Sequence, residues 1–339
     1  MENKFVRPDL LNLAPYQSAR DEFNGATEQL IMLDANENNF ASGLQRYPGS
    51  QQLALRNAMA NDLACKPDNL IFGNGSDEII DLIIRLTCEP FKDEMIVCQP
   101  TYGMYEVSAK INGVKFTNIS LTNDFKLNTE QIKLSKAKLC WVCNPNNPTG
   151  TYITKEEIKT LLITFNGLVI VDEAYIDFCP EHSVASWVNE YDNLLVMQTF
   201  SKAKGLAGIR LGYAVANEDL INWLFRIKPP YNINQLTEEM ALKYLRSGVW
   251  KKWVNEIIEQ REQLKKSLSQ IPGINIVGDS QANFILFGCP DANALYQQLL
   301  AAGIVVRNRS KQIANTLRVT VGTKKENDLF VESLKQLMA

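Results

Sequence analysis

Histidine is nearly absent from this chain: its 339 residues hold one, His182, in the turn-like Cys-Pro-Glu-His-Ser. Any Ser-His-Asp or Cys-His site would have to use it, so proton transfers fall to lysine, tyrosine or carboxylates. Cysteine is scattered and odd in number (65, 88, 98, 140, 143, 179 and 289), which argues against a disulfide framework. Cys140 and Cys143 have C-x-x-C spacing but sit in Leu-Cys-Trp-Val-Cys, an apolar run that reads as a buried strand. No second pair follows, so neither a metal site nor thioredoxin-like chemistry is expected. There is no excess of positive charge: the net charge is -3 with both signs interspersed, which leaves no footprint for nucleic acid. No apolar run reaches membrane-spanning length, and the opening Met-Glu-Asn-Lys-Phe-Val-Arg-Pro lacks the apolar stretch of a secretory signal. A soluble, cytoplasmic protein is the expectation. Internal repeats and low-complexity segments are missing too.

What is present is a long alternation of short apolar runs and helix-like stretches. The length suggests two domains, or one large domain with a smaller one. Residues 1–40 have little periodicity and several punctuating Pro, Asn and Gly residues, which reads as an N-terminal arm; its Pro-Tyr-Gln-Ser-Ala-Arg segment (15–20) contains Tyr16. From Arg46-Tyr47-Pro48-Gly49 onward the pattern is regular. A helix-like run over 51–64 leads to apolar 70–72, a turn over 73–78 and a helix-like 79–86, with Ser76 or Asp77 as candidate cap. Short runs rich in branched residues follow at 95–97, 114–116, 139–142, 168–171, 194–197 and 211–215, the pattern of buried, mainly parallel strands with crossover helices. After Pro229-Pro230 a long helix-like stretch runs over about 237–271 and ends at Pro272-Gly273. Strand-like segments then occupy 274–277, 284–287, 304–307 and 317–321, with a helix-like 293–302 among them. The expected division is an arm (1–40), a large domain (41–230) and a smaller α+β domain (231–339) that, with the arm, covers a site on the large one.

Strand, glycine turn and helix start at 73–78 form a ready anion site, because the N–H groups of a first helical turn are unpaired. The turn lacks the third glycine of G-x-G-x-x-G and the Lys-Ser/Thr of a P-loop, so neither dinucleotide nor triphosphate is favoured. Four further motifs fall at the carboxyl ends of the expected strands, where such sheets bind ligands. Pro100-Thr101-Tyr102-Gly103 offers an aromatic for stacking on a flat ring. Asn144-Pro145-Asn146-Asn147-Pro148-Thr149-Gly150 fixes an unusual backbone around amide side chains. A plain loop explains either one alone equally well. Val171-Asp172-Glu173-Ala174-Tyr175 also describes the acidic strand end of a nucleotide hydrolase, but no P-loop precedes it. A carboxylate there needs a partner, and a protonated ring nitrogen would supply one. The fourth motif, residues 199–213, sets Ser201, Lys202 and Arg210 among glycines and small residues. Alone it reads as a solvated basic loop, or, through Ser201 and Lys204, as a chance S-x-x-K without the K-T-G and S-D-N of penicillin-binding proteins. As a site it joins an amine that can condense with an aldehyde to a hydroxyl and a guanidinium fork that can hold a phosphate. Pyridoxal 5'-phosphate carries that aldehyde, phosphate and ring nitrogen together.

Taken together, Gly-Ser-Asp-Glu at 75–78, Tyr102, the 144–150 segment, Asp172 with Tyr175, Ser201-Lys202 and Arg210 resemble, in order and spacing, the fold type I aminotransferases over nearly the whole chain. Within that superfamily the chain is most similar to the histidinol-phosphate aminotransferases. The shared features are Pro-Tyr-Gln-Ser-Ala-Arg, Arg46-Tyr47-Pro48, Gly-Leu-Ala-Gly-Ile-Arg after Ser-Lys, and Val-Arg-Asn followed by Leu-Arg-Val-Thr-Val-Gly. Lys204 departs from the pattern, which has a bulky apolar or aromatic residue there, and would add a cation near the site. The resemblance implies an α/β fold with a mainly parallel central sheet flanked by helices and a smaller α+β C-terminal domain. It implies that Lys202 forms the covalent link to pyridoxal phosphate and that Asp172 keeps the pyridine nitrogen protonated. Tyr175 and Asn147 would bond the ring oxygen and Tyr102 would stack on the ring. Ser201, Arg210 and the amides of Ser76 and Asp77 would hold the phosphate, joined by Tyr47 from the neighbouring subunit of a homodimer. Tyr16, Arg307 and Arg318 are the implied substrate residues, the arginines accepting either a glutamate carboxylate or a phosphate. The implied reaction is transamination of L-histidinol phosphate with 2-oxoglutarate in histidine biosynthesis. A threonine-phosphate decarboxylase and an aromatic or broad-specificity aminotransferase share the scaffold. A ligand-sensing aminotransferase-like domain is the non-enzymatic alternative, and the chain carries no basic DNA-binding module to go with it.

Overall fold

A computed structural model describes residues 3–16 and 30–338 of the chain. Residues 17–20 of the Pro-Tyr-Gln-Ser-Ala-Arg segment lie outside the described residues. The first part of the chain alternates α1 (Leu53–Asp62), β1 (Leu70–Asn74), α2 (Gly75–Thr87), β2 (Glu94–Gln99), α3 (Met104–Ile111), β3 (Lys115–Ser120), α4 (Thr129–Lys133) and β4 (Leu139–Cys143). It continues through α5 (Lys155–Thr164), β5 (Leu168–Asp172), β6 (Leu194–Thr199), β7 (Leu211–Ala216) and α6 (Glu218–Ile227). The remainder holds α7 (Gln235–Ser247), α8 (Trp250–Leu268), β8 (Asn275–Ile276), β9 (Phe284–Gly288), α9 (Ala292–Ala301), β10 (Arg307–Asn308), β11 (Thr316–Thr320) and α10 (Lys324–Met338).

Each apolar run of the first part becomes a strand of one sheet, in the order β1-β7-β6-β5-β4-β2-β3. β6, β5, β4, β2 and β3 run parallel, as expected, while β7 is antiparallel to both β6 and β1. The reversal has a local cause: residues 200–210 join β6 to β7 without a crossover helix, and strands joined that way must run in opposite directions. That short connection is the loop that carries Lys202. Every residue of β4, β5, β6 and β7 is buried, because helices cover both faces. α2 contributes Ile79, Ile80, Leu82, Ile83 and Ile84, each no more than 1% exposed, and burial of each such side chain is worth about 1.5–3 kcal/mol.

The start of α2 differs from expectation. Neither Ser76 nor Asp77 caps it; Asn74 is the N-cap residue, and its N–H donates to Glu78 Oε2 at 2.5 Å. Ser76 and Asp77 lie inside the first turn instead, where their N–H groups have no acceptor in the helix. The single long helix expected over 237–271 is two helices. Gly248 ends α7 in the left-handed conformation (φ 61°), its N–H shared between the carbonyls of Tyr244 and Leu245, and α8 begins afresh at Trp250.

The second sheet, β10-β11-β9-β8, is wholly antiparallel and packs with α8, α9 and α10 around Leu264, Leu268, Ile285, Phe287, Leu317 and Leu334. α7 stays with the first sheet, where Ala241, Leu242 and Leu245 join its core. Phe5 and Val6 of the arm pack into the core beside α2, and the Arg7 N–H donates to the Leu86 carbonyl at 2.9 Å. No helix among the described residues is long and apolar enough to cross a membrane.

Candidate active site

Because β4, β5 and β6 are parallel, Cys143 and Asp172 end side by side at one edge of the sheet, level with Met197, and β6 runs two residues past them to Thr199. Above them opens a cavity of about 450 Å³, closed from the other side by the arginines of β10 and β11. Lys202 and Asp172 both border it, with Tyr175, Asn147 and Tyr102. Ser76, Asp77, Ser201 and Arg210 line one end, and Arg307 and Arg318 line the side formed by the second sheet. Every site residue expected from the sequence is therefore at this cavity except Tyr16 and Tyr47. Tyr16 is 70% exposed and away from it. Tyr47 is half exposed and stacks on Tyr231 (4.5 Å between ring centroids) in a separate cavity of about 580 Å³ with Arg46 and Asn234.

Asp172 is 3% exposed, and burial lifts its carboxyl to about 6 against the lowering effect of its hydrogen bonds. Oδ2 accepts from the Tyr105 hydroxyl at 2.5 Å and Oδ1 from the Ala174 N–H at 3.1 Å. Tyr105 is itself clamped, stacked on Trp141 at 4.8 Å and met edge-on by Tyr102 at 5.6 Å. Sequence motifs alone do not single out Tyr105; its place three residues after Tyr102 is the one available signal.

Lys202 is open on the cavity side while protein crowds it on the others. That crowding, followed by the charge of Arg318, lowers its pKa against the opposing pull of Asp172 and Asp77. Its Nζ lies 5.6 Å from the centroid of the Tyr175 ring. Burial pushes the Tyr175 hydroxyl well above its ordinary range, so it stays protonated and able to donate. Asn147 Oδ1 accepts from Arg318 Nη1 at 2.5 Å and from Arg309 Nη2 at 3.4 Å.

At the other end α2 and the Lys202 loop meet closely. The Gly75 N–H donates to the Arg210 carbonyl at 2.7 Å, and Arg210 Nη2 stands 3.5 Å from Asp77 Oδ2. Asp77 Oδ1 accepts from Tyr102 at 3.1 Å. A Cβ on Gly212 would lie 2.3 Å from the Ser76 backbone nitrogen, so only glycine there lets the helix end approach this loop, and Gly75 takes a left-handed φ of 73° that favours glycine. The product is a concave corner of two helical N–H groups, the Ser201 hydroxyl and one guanidinium, a donor set suited to a phosphate. With an amine and a buried acid beside that corner, the residues present fit a phosphorylated aldehyde with a basic ring.

Lys204 does not add a cation to the cavity. It is 4% exposed, its Nζ lies 2.7 Å from Asp177 Oδ2, and the rings of Trp250 and Phe200 are 4.8 and 5.5 Å away. Its ammonium lies over two aromatic rings while Asp177 neutralises it, so a lysine serves where a bulky residue was expected. Arg309, in contrast, is a cavity residue outside the set expected from the sequence. Its signal is the Arg-x-Arg spacing after Val306, which puts alternate side chains on one face of a strand.

The sequence pattern of the family described as aminotransferase class I and II matches residues 8–334. The histidinol-phosphate aminotransferase of Flavobacterium johnsoniae is 46% identical over 342 residues, covering 99% of this chain and 98% of its own. The crystal structure of the histidinol-phosphate aminotransferase from Clostridium acetobutylicum aligns with a TM-score of 0.81 at 27% identity, over 87% of this chain and 91% of that one. That of the Sinorhizobium meliloti enzyme, solved in complex with pyridoxal-5'-phosphate, shares the fold with a TM-score of 0.80 at 21% identity, over 87% of this chain and 83% of that one. The amine, acid and anion corner gathered at one cavity agree with these likenesses, and the chain belongs to the class I and II aminotransferases, among the histidinol-phosphate aminotransferases.

Proposed function

We propose that this protein moves the amino group of L-histidinol phosphate to 2-oxoglutarate, yielding imidazole acetol phosphate and L-glutamate, with pyridoxal 5'-phosphate as cofactor. The observation that carries the reading is the meeting of Lys202, Asp172 and the Ser76–Arg210 corner at one cavity. When bound there, the cofactor supplies an aldehyde for an amine to join and a ring that accepts the electron pair released at the substrate carbon.

The chain's own residues do the rest. Ser201, Arg210 and the N–H groups of Ser76 and Asp77 would hold the phosphate, and Tyr102 would stack on the ring. Asp172, fixed by Tyr105 and Ala174, would hold a proton on the ring nitrogen, a cation that would offset the burial raising its carboxyl. Tyr175 and Asn147 would bond the ring oxygen. Lys202 would carry the covalent link to the cofactor, and its amine, held neutral more readily by its lowered pKa, would take the proton from the substrate carbon bearing nitrogen. Arg307 and Arg318 hold the phosphate of one substrate and the carboxylate of the other in turn, with Tyr16 as a further substrate contact. Tyr47 serves a neighbouring copy: it stands outside this chain's cavity, beside the exposed apolar side chains of Leu44 and Leu236, a face suited to a two-fold homodimer. We take residues 41–230 as the large domain and 231–339 as the small one, α7 being the segment of the latter that packs on the former. All seven cysteines are free thiols, which suits a cytoplasmic setting.

Titration of the holoenzyme with histidinol phosphate tests the reading. Absorbance of the lysine-bound cofactor is expected to disappear without any 2-oxoacid present and to return on adding 2-oxoglutarate. Lys202→Ala is expected to abolish that absorbance and lower turnover by at least roughly 10³-fold. Release of carbon dioxide from threonine phosphate without glutamate formation would instead make the protein a decarboxylase.

A further inference from the structure

We propose that Arg309 is a specificity-determining residue, a third guanidinium on the substrate side of the cavity that makes its anion pocket prefer a dianionic phosphate ester to a monoanionic carboxylate. The inference rests on the substrate class proposed above and names the residue that would select it.

The placement follows from strand register. Arg307 of β10 stands directly across from Arg318 of β11, and Arg309 lies two residues on, where the side-chain period of a strand returns it to the same face. The Arg309 N–H donates to the Thr316 carbonyl at 3.0 Å, so the pairing of the two strands extends to it. All three arginines border the cavity. Like charges placed opposite one another oppose pairing, and among the described residues no carboxylate forms an ion pair with any of the three. Asn147 Oδ1, accepting from Arg318 and weakly from Arg309, is a neutral partner shared between two cations. The Nε atoms of Arg309 and Arg318 are buried without a partner, as are Ser310 Oγ and Gln312 Oε1 in the same segment. Gln312 Nε2 donates to the Thr101 carbonyl at 2.7 Å, which ties this segment to the loop after β2. Burial and the charges of Arg318 and Arg307 bring Arg309 down to about 10, still cationic near neutral pH.

A cluster so assembled is completed by an anion, and the number of cations decides which one. A planar carboxylate is satisfied by one guanidinium fork, whereas a tetrahedral phosphate has oxygens left for others. Each added positive charge also attracts a dianion about twice as strongly as a monoanion at the same distance. Arg309 therefore contributes to both substrates but more to the phosphorylated one.

The test compares holoenzyme carrying Arg309→Gln or Arg309→Lys with the unaltered holoenzyme, in which the cofactor's own phosphate fills the α2 corner. Calorimetric titration with inorganic phosphate and with acetate is the first readout. Arg309→Gln is expected to weaken phosphate roughly tenfold while changing acetate by no more than about twofold, and Arg309→Lys to recover much of the difference. The ratio of kcat/KM for histidinol phosphate to that for glutamate should fall in the same proportion. Equal losses for the two anions, or none, would overturn the proposal. Should the unaltered enzyme fail to turn over histidinol phosphate yet keep an Arg309-dependent preference for phosphate, the substrate proposed above falls and this inference stands. Should it turn over histidinol phosphate while Arg309→Gln leaves the ratio unchanged, the substrate stands and this inference falls.

Discussion

Asp172 sits where its charge is costly until a cation arrives. Without one its carboxyl is raised from the ordinary 3.8 to about 6, chiefly by burial. An acid whose folded pKa is raised binds its proton more readily in the folded chain, so it lowers stability progressively as pH rises from about 4 to about 6, and fully above that. Asp172→Asn should remove that penalty: the cofactor-free variant is expected to unfold at a higher temperature than the parent near neutral pH, by on the order of 2 kcal/mol, and to lose the advantage below about pH 4. Thermal melts across that range check it, and an advantage undiminished at acid pH would assign the gain to another cause. The same variant should lose most activity. That Asp172 and Lys202 border one cavity was legible in the sequence, because the motifs that contain them fall at the ends of neighbouring strands. Tyr105 was not, because its role is conferred by a hydrogen bond to a residue 67 positions away, which local pattern does not encode.

The loop between β6 and β7 is the element that organises the site, and it is held from both sides. Lys202 faces the cavity, while Lys204 turns away to pair with Asp177, in the turn after β5, beneath Trp250 at the start of α8. One partly buried ion pair thus ties together the loop, the turn that follows Tyr175 and the start of α8. Removing one partner of such a pair strands the other. Lys204→Met is expected to destabilise the protein by roughly 3 kcal/mol in urea unfolding, with Asp177→Leu added to it restoring most of the loss. If the double variant is no more stable than the single one, the pair is not the cause. At this scale the strand runs were legible, because buried parallel strands read as short branched stretches. The break between α7 and α8 was marked by Gly248, but charge periodicity continuing on both sides concealed it.

For the molecule as a whole, the proposed dimer would make the face around Tyr47 part of a neighbouring copy's site. Leu236 is 57% exposed there and Leu44 52%. Leu236→Asp is expected to shift the 38.2 kDa chain from dimer to monomer in sedimentation, with activity falling about as far as dimer is lost, since Tyr47 would no longer reach a second cavity. A fully dimeric, active variant would remove this face from the interface.

What the sequence by itself determined was local: which runs become strands, which loops carry an amine, an acid or an amide, and that their order is that of an aminotransferase. Only the tertiary structure decided that β7 enters the sheet between β1 and β6, that Lys204 turns inward, and that Arg309 joins Arg307 and Arg318 on one face. The reason is physical. Propensity and hydrophobic period act over a few residues, whereas the direction of a side chain in a loop or at a strand end is settled by contacts with segments distant in the chain.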